Sequence, residues 1–518
     1  MAAPDYRTDL EDISLAEDET DWDESGDGAW NEGGGAEPEP DYYIQGTYCI
    51  SETLKDGVGS LIYDYGTGIT FSTGDVFVAW HYDQAPNVLG LRSEGGMRMI
   101  IGSSLDDFYA WKVLGRDYYE YGGWVCIPID PERTADYTVG TPTATRQFFG
   151  NAFNHNNGSV QKGNPHGIDA LRYGRMESIF AGGDLANGYC TFAGFAEEND
   201  NQQNRWGQIQ EIPGGYQWQG LMSFGTAASA CDFRDENVSI VALSPHRVYE
   251  TFNKIEINNS STRVDWDTIT FSALGSAAPG YFQVNDPSAD VNITDCTFVD
   301  MATFQFSAGS DIIGTTFRRC ESVTQSGAAF DGCTFDSMTA SAHLYAEDLA
   351  DIDNCDFIQP DVNGGHAIHI ATSGTYAFLG NTFTGYGASA TTSAAIYNNS
   401  GAHITINVSQ GDTPTIRNSP GSTTTVQNTV QITFTDVVSG SEIRILEAGT
   451  NNELDGIEDV PASGEWTYSY NYVAGTYIDY VVHHVEYVYI RVENFLLPAT
   501  NQDIRIDQQF DRWYSNPP

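Results

Sequence analysis

A short motif returns about every two dozen residues through the middle of the chain. It reads Cys296-Thr297-Phe298, Thr315-Thr316-Phe317, Cys333-Thr334-Phe335, Cys355-Asp356-Phe357 and Asn381-Thr382-Phe383. Five residues before each Phe stands another apolar residue: Ile293, Ile312, Phe330, Ile352 and Phe378. The register is therefore set as well as the composition, and similarity in register at such a period marks a solenoid with one turn per repeat. Weaker copies extend the pattern backward through Phe271 with Trp266, Phe252, and Cys231-Asp232-Phe233. Forward, it runs into His403-Ile404-Thr405-Ile406.

Short segments rich in Phe, Ile, Thr and Val alternate with Gly, Asn, Asp and Ser clusters, which suits strands and turns and leaves no room for paired helices. The spacing predicts a parallel β-helix, each strand pairing with its counterpart one turn later at roughly 4.8 Å along the axis. Both apolar columns then stack inside, and the Cys, Thr or Asn two residues before Phe forms a ladder at a bend. Longer turns around Glu347 to Asp351 and Pro360 to Gly374 are expected to bulge outward. The alternative is a β-sandwich whose strands happen to repeat.

The whole chain, at 518 residues, exceeds one ordinary core, and its composition is that of a folded protein, 40% apolar and 13% aromatic. Charge is the outlier: 71 acidic residues stand against 23 basic ones, a net of −48. Such a field repels DNA, RNA and anionic membranes, so the expectation is no nucleic-acid partner. It suits either brine, where salt screens self-repulsion, or plain solubility. No run of about twenty apolar residues and no basic-then-apolar start occurs, so neither membrane insertion nor a secretion signal is expected. Eight Cys show no CxxC pair or Cys/His zinc spacing, and those on the repeat ladder read as small buried residues.

Four segments follow. Residues 1–40 form an acidic arm, disordered alone or used for attachment, with Trp22 and Trp30 as apolar anchors of the kind a tail uses when it folds onto a partner. Residues 41–225 are aromatic-rich strands, read as a β-sandwich or jelly roll. Within them Lys162 to Arg175 is the densest basic and His cluster, either a grip for an anionic group or an inner packing segment whose Arg172 and Arg175 pair with this acidic chain. Residues 226–420 hold the β-helix, opening at Ser229 to Asp235. Residues 421–518 alternate cleanly, as in a compact antiparallel sandwich that closes the coil's open end. The fold class is all-β throughout.

A P-loop, a GxSxG elbow, HExxH and an EF-hand pattern are absent. Glycan-cleaving β-helices place carboxylates on the coil exterior by space and not by local spacing, and Asp331, Asp336, Asp351, Asp353 and Asp356 fall on successive turns. Hydrolysis would need two carboxyls about 5–9.5 Å apart, which adjacent rungs could supply. The same carboxylates could hold Ca²⁺. His366 and His369, with two residues between them, are read as one face of a strand and as binding candidates. Tyr468 and Tyr470 are flat amphipathic rings that either line a sugar or protein surface or pack between strands.

The order of acidic arm, aromatic β-domain, the Lys162 to Arg175 segment, Cys231-Asp232-Phe233-Arg234-Asp235, Phe252 to Ile257 and then the Cys-Thr-Phe rungs resembles virion structural proteins of marine tailed bacteriophages. The resemblance covers about 41 to 410. It implies a right-handed parallel β-helix in a fibre or spike, commonly homotrimeric, joined to other virion proteins through its N-terminal region and adhering to host-surface glycan. The last hundred residues are similar to the prealbumin-like or Ig-like modules that end phage fibres. No tail-adaptor domain is recognisable at the N-terminus, which leaves attachment to the head open. The expectation is thus a non-enzymatic virion protein without a cofactor. A head-bound decoration protein, a polysaccharide depolymerase and a calcium-dependent adhesin are the alternatives.

Overall fold

A computed structural model describes residues 2–18, 22–23, 37–39, 43–53, 57–83, 96–113, 123–155, 165–200, 205–243, 254–273, 280–346, 352–359, 365–472, 475–498 and 500–511. Trp30, Phe252, Asp351 and the turns 347–351 and 360–364 fall outside the described residues. The chain is all-β, with one helix among the described residues, Phe192–Asp200. It divides into two compact units, Met1–Ala328 and Ala329–Pro518.

In the first unit a six-stranded antiparallel sheet runs from Tyr137–Val139 to Trp22–Asp23 with Arg146–His155 near its middle. A second antiparallel set forms around the long strand Pro165–Ala181, which pairs with Asp5–Ser14, Cys49–Thr53 and Val76–Asp83. Leu61, Met99, Phe149 and Trp111 from one set and Phe77, Ile127, Ile168 and Leu171 from the other share one core. Part of the acidic arm is thus a strand: Asp5 to Ser14 lies antiparallel along Leu171 to Ala181. Trp22 is buried in the same core, its ring 5.6 Å from that of Tyr63, so this anchor is occupied by its own chain. Arg172 is almost fully buried and donates to Asp12 Oδ1 at 2.7 Å, while Arg175 pairs with Glu177 at 3.6 Å. Arg172 is thus an inner packing contact, Arg175 forms an exposed ion pair, and Lys162 to Asn164 lie outside the described residues.

The last residues of Pro165–Ala181 change partner. Glu177 to Phe180 pairs in parallel with Leu221 to Phe224, ahead of Ser229. From there each strand pairs in parallel with the third strand after it, which makes three columns. One column holds Asp232–Glu236, Arg263–Asp267, Asp290–Thr294 and Ser310–Ile313; another holds Gly215–Gln219, Ser239–Leu243, Thr270–Ser272, Thr297–Val299 and Thr316–Arg318. Trp266, Ile293 and Ile312 stack in the first, Phe271, Phe298 and Phe317 in the second, as the five-residue offset requires. One copy was misaligned. Phe233 stacks on Val264 in the first column, and the residue beneath Phe271 is Ile240. Cys231-Asp232-Phe233 imitates the motif's composition at the wrong bend.

The helix Phe192–Asp200 covers the start of the stack. Its Phe192 ring lies 4.8 Å from Phe233 and its Phe195 ring 4.9 Å from Phe180. Thr191 caps it by accepting from Gly194 N at 2.9 Å, and Asp235 accepts from Phe192 N at 2.8 Å, satisfying two of the free donors of the first turn.

The second unit has the same parallel columns. Phe335, Phe357 and Phe383 stack face to face at 4.8 and 5.4 Å, and Phe330, Ile352 and Phe378 stack beside them. The forward copy is also reassigned: Val408, four residues beyond Ile404, continues the Phe378 position. The strand Thr423–Thr435 then changes partner midway. Up to Thr429 it pairs in parallel with His403–Ser409, and from Thr429 to Phe434 it pairs antiparallel with Trp466–Asn471. A four-stranded antiparallel sheet of Glu453–Ile457, Glu442–Glu447, Tyr477–His483 and Ile490–Leu496 packs against it, with Ile432, Phe434, Ile443, Ile445 and Val482 in one core.

Candidate functional site

Four strands of the second unit build the site: Ala342–Ala346, His366–Ile370, Ile396–Asn398 and Ile416–Asn418. Their aliphatic residues Leu344, Ile368, Ile396 and Ile416 lie in register and make an inner column. Successive side chains on a strand point to opposite faces. The residue after each aliphatic is therefore outward, and these are Tyr345, His369, Tyr397 and Arg417, again in register. All four are half-buried.

This outer row is a stacked ladder. The Tyr345 and His369 rings are 5.0 Å apart, His369 and Tyr397 5.1 Å, and the Arg417 guanidinium carbon sits 4.8 Å over the Tyr397 ring. His366 joins from the side, its ring stacked on Tyr397 at 5.0 Å. The two histidines are three positions apart, which strict alternation would send to opposite faces, yet both rings meet Tyr397. His366 is the first residue of its strand, and its ring nevertheless reaches the ladder.

The hydrogen bonds settle which protons are where. His366 Nδ1 lies 2.6 Å from Ala394 O, a pure acceptor, so Nδ1 carries the proton and donates. Its Nε2 is then a lone pair that accepts from Arg417 Nη1 at 3.3 Å. On the first of these strands His343 is fully buried and shares a 2.8 Å hydrogen bond between Nδ1 and Tyr386 Oη. Burial pushes the His343 pKa down to about 4 and lowers those of His366 and His369, with Arg417 adding to the effect on His366. At neutral pH the three imidazoles are uncharged, and Arg417 carries the charge of the ladder.

Comparison with models of known protein families and with curated proteins returns no match.

The other candidates are placed differently. Asp331 and Asp353 are register neighbours on one column; Asp336 and Asp356 stand on another, opposite Ile358 and Thr334. Each is tied to its own surroundings: Asn354 Nδ2 donates to Asp331 at 2.7 Å, Ser337 Oγ to Asp336 at 2.6 Å, Thr382 Oγ1 to Asp356 at 2.6 Å, and Leu379 N to Asp353 at 3.2 Å. The four described carboxylates thus stand on two columns, with Asp331 and Asp353 on neighbouring rungs of one, and no group of three His, Cys, Asp or Glu placed to hold a metal ion occurs among the described residues. Tyr468 and Tyr470 are core residues, 7% and 8% exposed, stacked on each other at 5.4 Å, with Tyr470 Oη donating to Pro498 O at 2.7 Å. Little of either ring is open to a ligand.

Sequence reading found His366 and His369 and missed Tyr345, Tyr397 and Arg417. The signal was an aliphatic followed by a ring or a cation: Leu344-Tyr345, Ile368-His369, Ile396-Tyr397, Ile416-Arg417. Unequal turns between these pairs hide the repetition until the inner column is aligned.

Proposed function

We propose that this protein is a non-enzymatic structural component of a tailed-bacteriophage particle, a fibre or spike that adheres to host-surface glycan. In this reading the three parallel columns are a right-handed parallel β-helix. The antiparallel sets at 41–225 and 421–518 are sandwich modules joined to it by Pro165–Ala181 and Thr423–Thr435. The parallel pairing of each strand with the third one after it supports the coil, and the handedness rests on the resemblance alone. Rung pairing ties each strand to the next by main-chain hydrogen bonds, which suits an element that presents a binding surface.

The observation that carries adhesion is the in-register outer ladder of Tyr345, His369, Tyr397 and Arg417. Flat rings give a sugar contact area at low entropy cost, and side chains on a stiff strand lattice are already ordered before binding. The test is gold-labelled electron microscopy of intact particles with a tag fused after Pro518. Gold at the tail or its tips is the expected outcome; gold scattered over the head would replace the fibre with a decoration protein.

A further inference from the structure

The ladder holds a cation where the chain has almost none. Arg417 is the sole Arg or Lys between residues 329 and 440, a stretch with nine Asp and one Glu. The unit's other described arginines are each paired with a carboxylate: Arg444 with Glu442, Arg491 with Asp479 at 3.2 Å, and Arg505 with Asp436 at 2.7 Å. Arg417 has no carboxylate within 4.0 Å among the described residues. Its single hydrogen bond there goes to the neutral His366.

A guanidinium has five donors in a planar fork, and this one spends a single Nη1–H on His366. The Tyr397 ring below it and the His366 lone pair beside it hold the plane in place, leaving the remaining N–H groups for a ligand. A planar fork of this kind matches a carboxylate with two parallel hydrogen bonds. Next to it, the ladder runs on over Tyr397, His369 and Tyr345 for three rung spacings, roughly 14 Å, uncharged at neutral pH. A cation at one end of a neutral aromatic strip fits a chain of sugars that carries a carboxylate.

Resting on the adhesion reading above, we infer that Arg417 selects an acidic saccharide, its guanidinium taking a sugar carboxylate while neighbouring sugars lie against the outward edges of Tyr397 and Tyr345, whose faces are taken up within the ladder. His366 is a positioning residue that orients the guanidinium. The net charge of −48 disfavours anions at long range, but that field is screened beyond about 8 Å at physiological ionic strength. Selection is therefore a matter of the contact and not of the field.

The experiment measures binding of the full chain to an oligouronate and to a cello-oligosaccharide of equal length, by calorimetry, for wild type, Arg417→Gln, Arg417→Lys and Tyr397→Ala, with melting temperatures as a check on folding. Wild type is expected to prefer the oligouronate at least tenfold. Arg417→Gln should lose that preference with an unchanged melting temperature, and Arg417→Lys should keep part of it. Tyr397→Ala should weaken both ligands. Wild-type affinity for the oligouronate in Arg417→Gln would overturn the acidic selection and leave the adhesion reading standing if Tyr397→Ala still weakens both ligands. A wild type that binds neither sugar, or a folded Tyr397→Ala that binds both unchanged, would overturn the site itself.

Discussion

At the scale of single residues, the buried polar groups show what the core tolerates. Asp169 is fully buried in the segment that sequence reading offered as either an anion grip or a packing element. Its Oδ2 accepts from Ile44 N at 2.7 Å and Gln45 N at 3.1 Å, yet burial still pushes its pKa up to about 7. The unfolded chain releases this proton near the ordinary 3.8. Between those values the folded state binds more protons than the unfolded one, so the group costs stability progressively as pH rises from about 4 to 7. Asp169→Asn removes that cost. Urea unfolding of Asp169→Asn against wild type should show the variant gaining on the order of a few kcal/mol between pH 5 and pH 8. A pH-independent difference would mean that the carboxyl is already ionised at pH 5. His343 has the opposite sign: it resists protonation down to about 4, so its contribution is lost as pH falls from 6.5. Of these two groups, neither was legible from sequence, because burial arises from residues distant in the chain.

At the scale of the element, each Phe strand follows a left-handed bend. Three residues before the column stand Asn237, Thr268, Asp295, Gly314, Gly332, Asn354 and Gly380, all with φ between 50° and 72°. Asn, Asp and Gly accept this conformation readily, and the recurring Asp, Gly and Asn just ahead of the Cys-Thr-Phe motif belong to the Gly, Asn and Asp clusters that mark turns in the sequence. The bends also explain substitutions between rungs. A Cβ on Gly380 would lie 2.3 Å from Asn354 Oδ1, the side chain of the preceding bend, so one rung's polar group occupies the space the next rung leaves by having Gly. Thr268 is the misfit, a β-branched residue at φ 56°. Thr268→Asn is expected to raise stability by about 0.5–1 kcal/mol by relieving that conformation, read as a higher urea midpoint with unchanged slope. A lower midpoint would show that the hydroxyl bond to Asp267 Oδ1, at 2.7 Å, outweighs the strain.

At the scale of the whole molecule, the excess of acidic groups must be carried by the folded surface, since the cores are apolar. Self-repulsion then destabilises the compact state, and salt shortens its reach from about 10 Å at 0.1 M to 3 Å at 1 M. The melting temperature should rise as NaCl increases over that range. Exposed ion pairs such as Arg505 with Asp436 are worth too little to reverse the trend, and a falling melting temperature would assign more to them than their exposure allows. The amino-acid order by itself determined the all-β character, the two apolar columns five residues apart and the buried ladder of Cys, Thr and Asn, because these follow from short-range alternation and a recurring local register. Tertiary structure alone decided that Phe233 leaves the Phe column, that Trp22 and Tyr468 face inward, and that Tyr345, His369, Tyr397 and Arg417 meet. Those four lie on strands separated by turns of unequal length, and only the hydrogen-bonded pairing of one strand with the next converts such irregular spacing into a straight row.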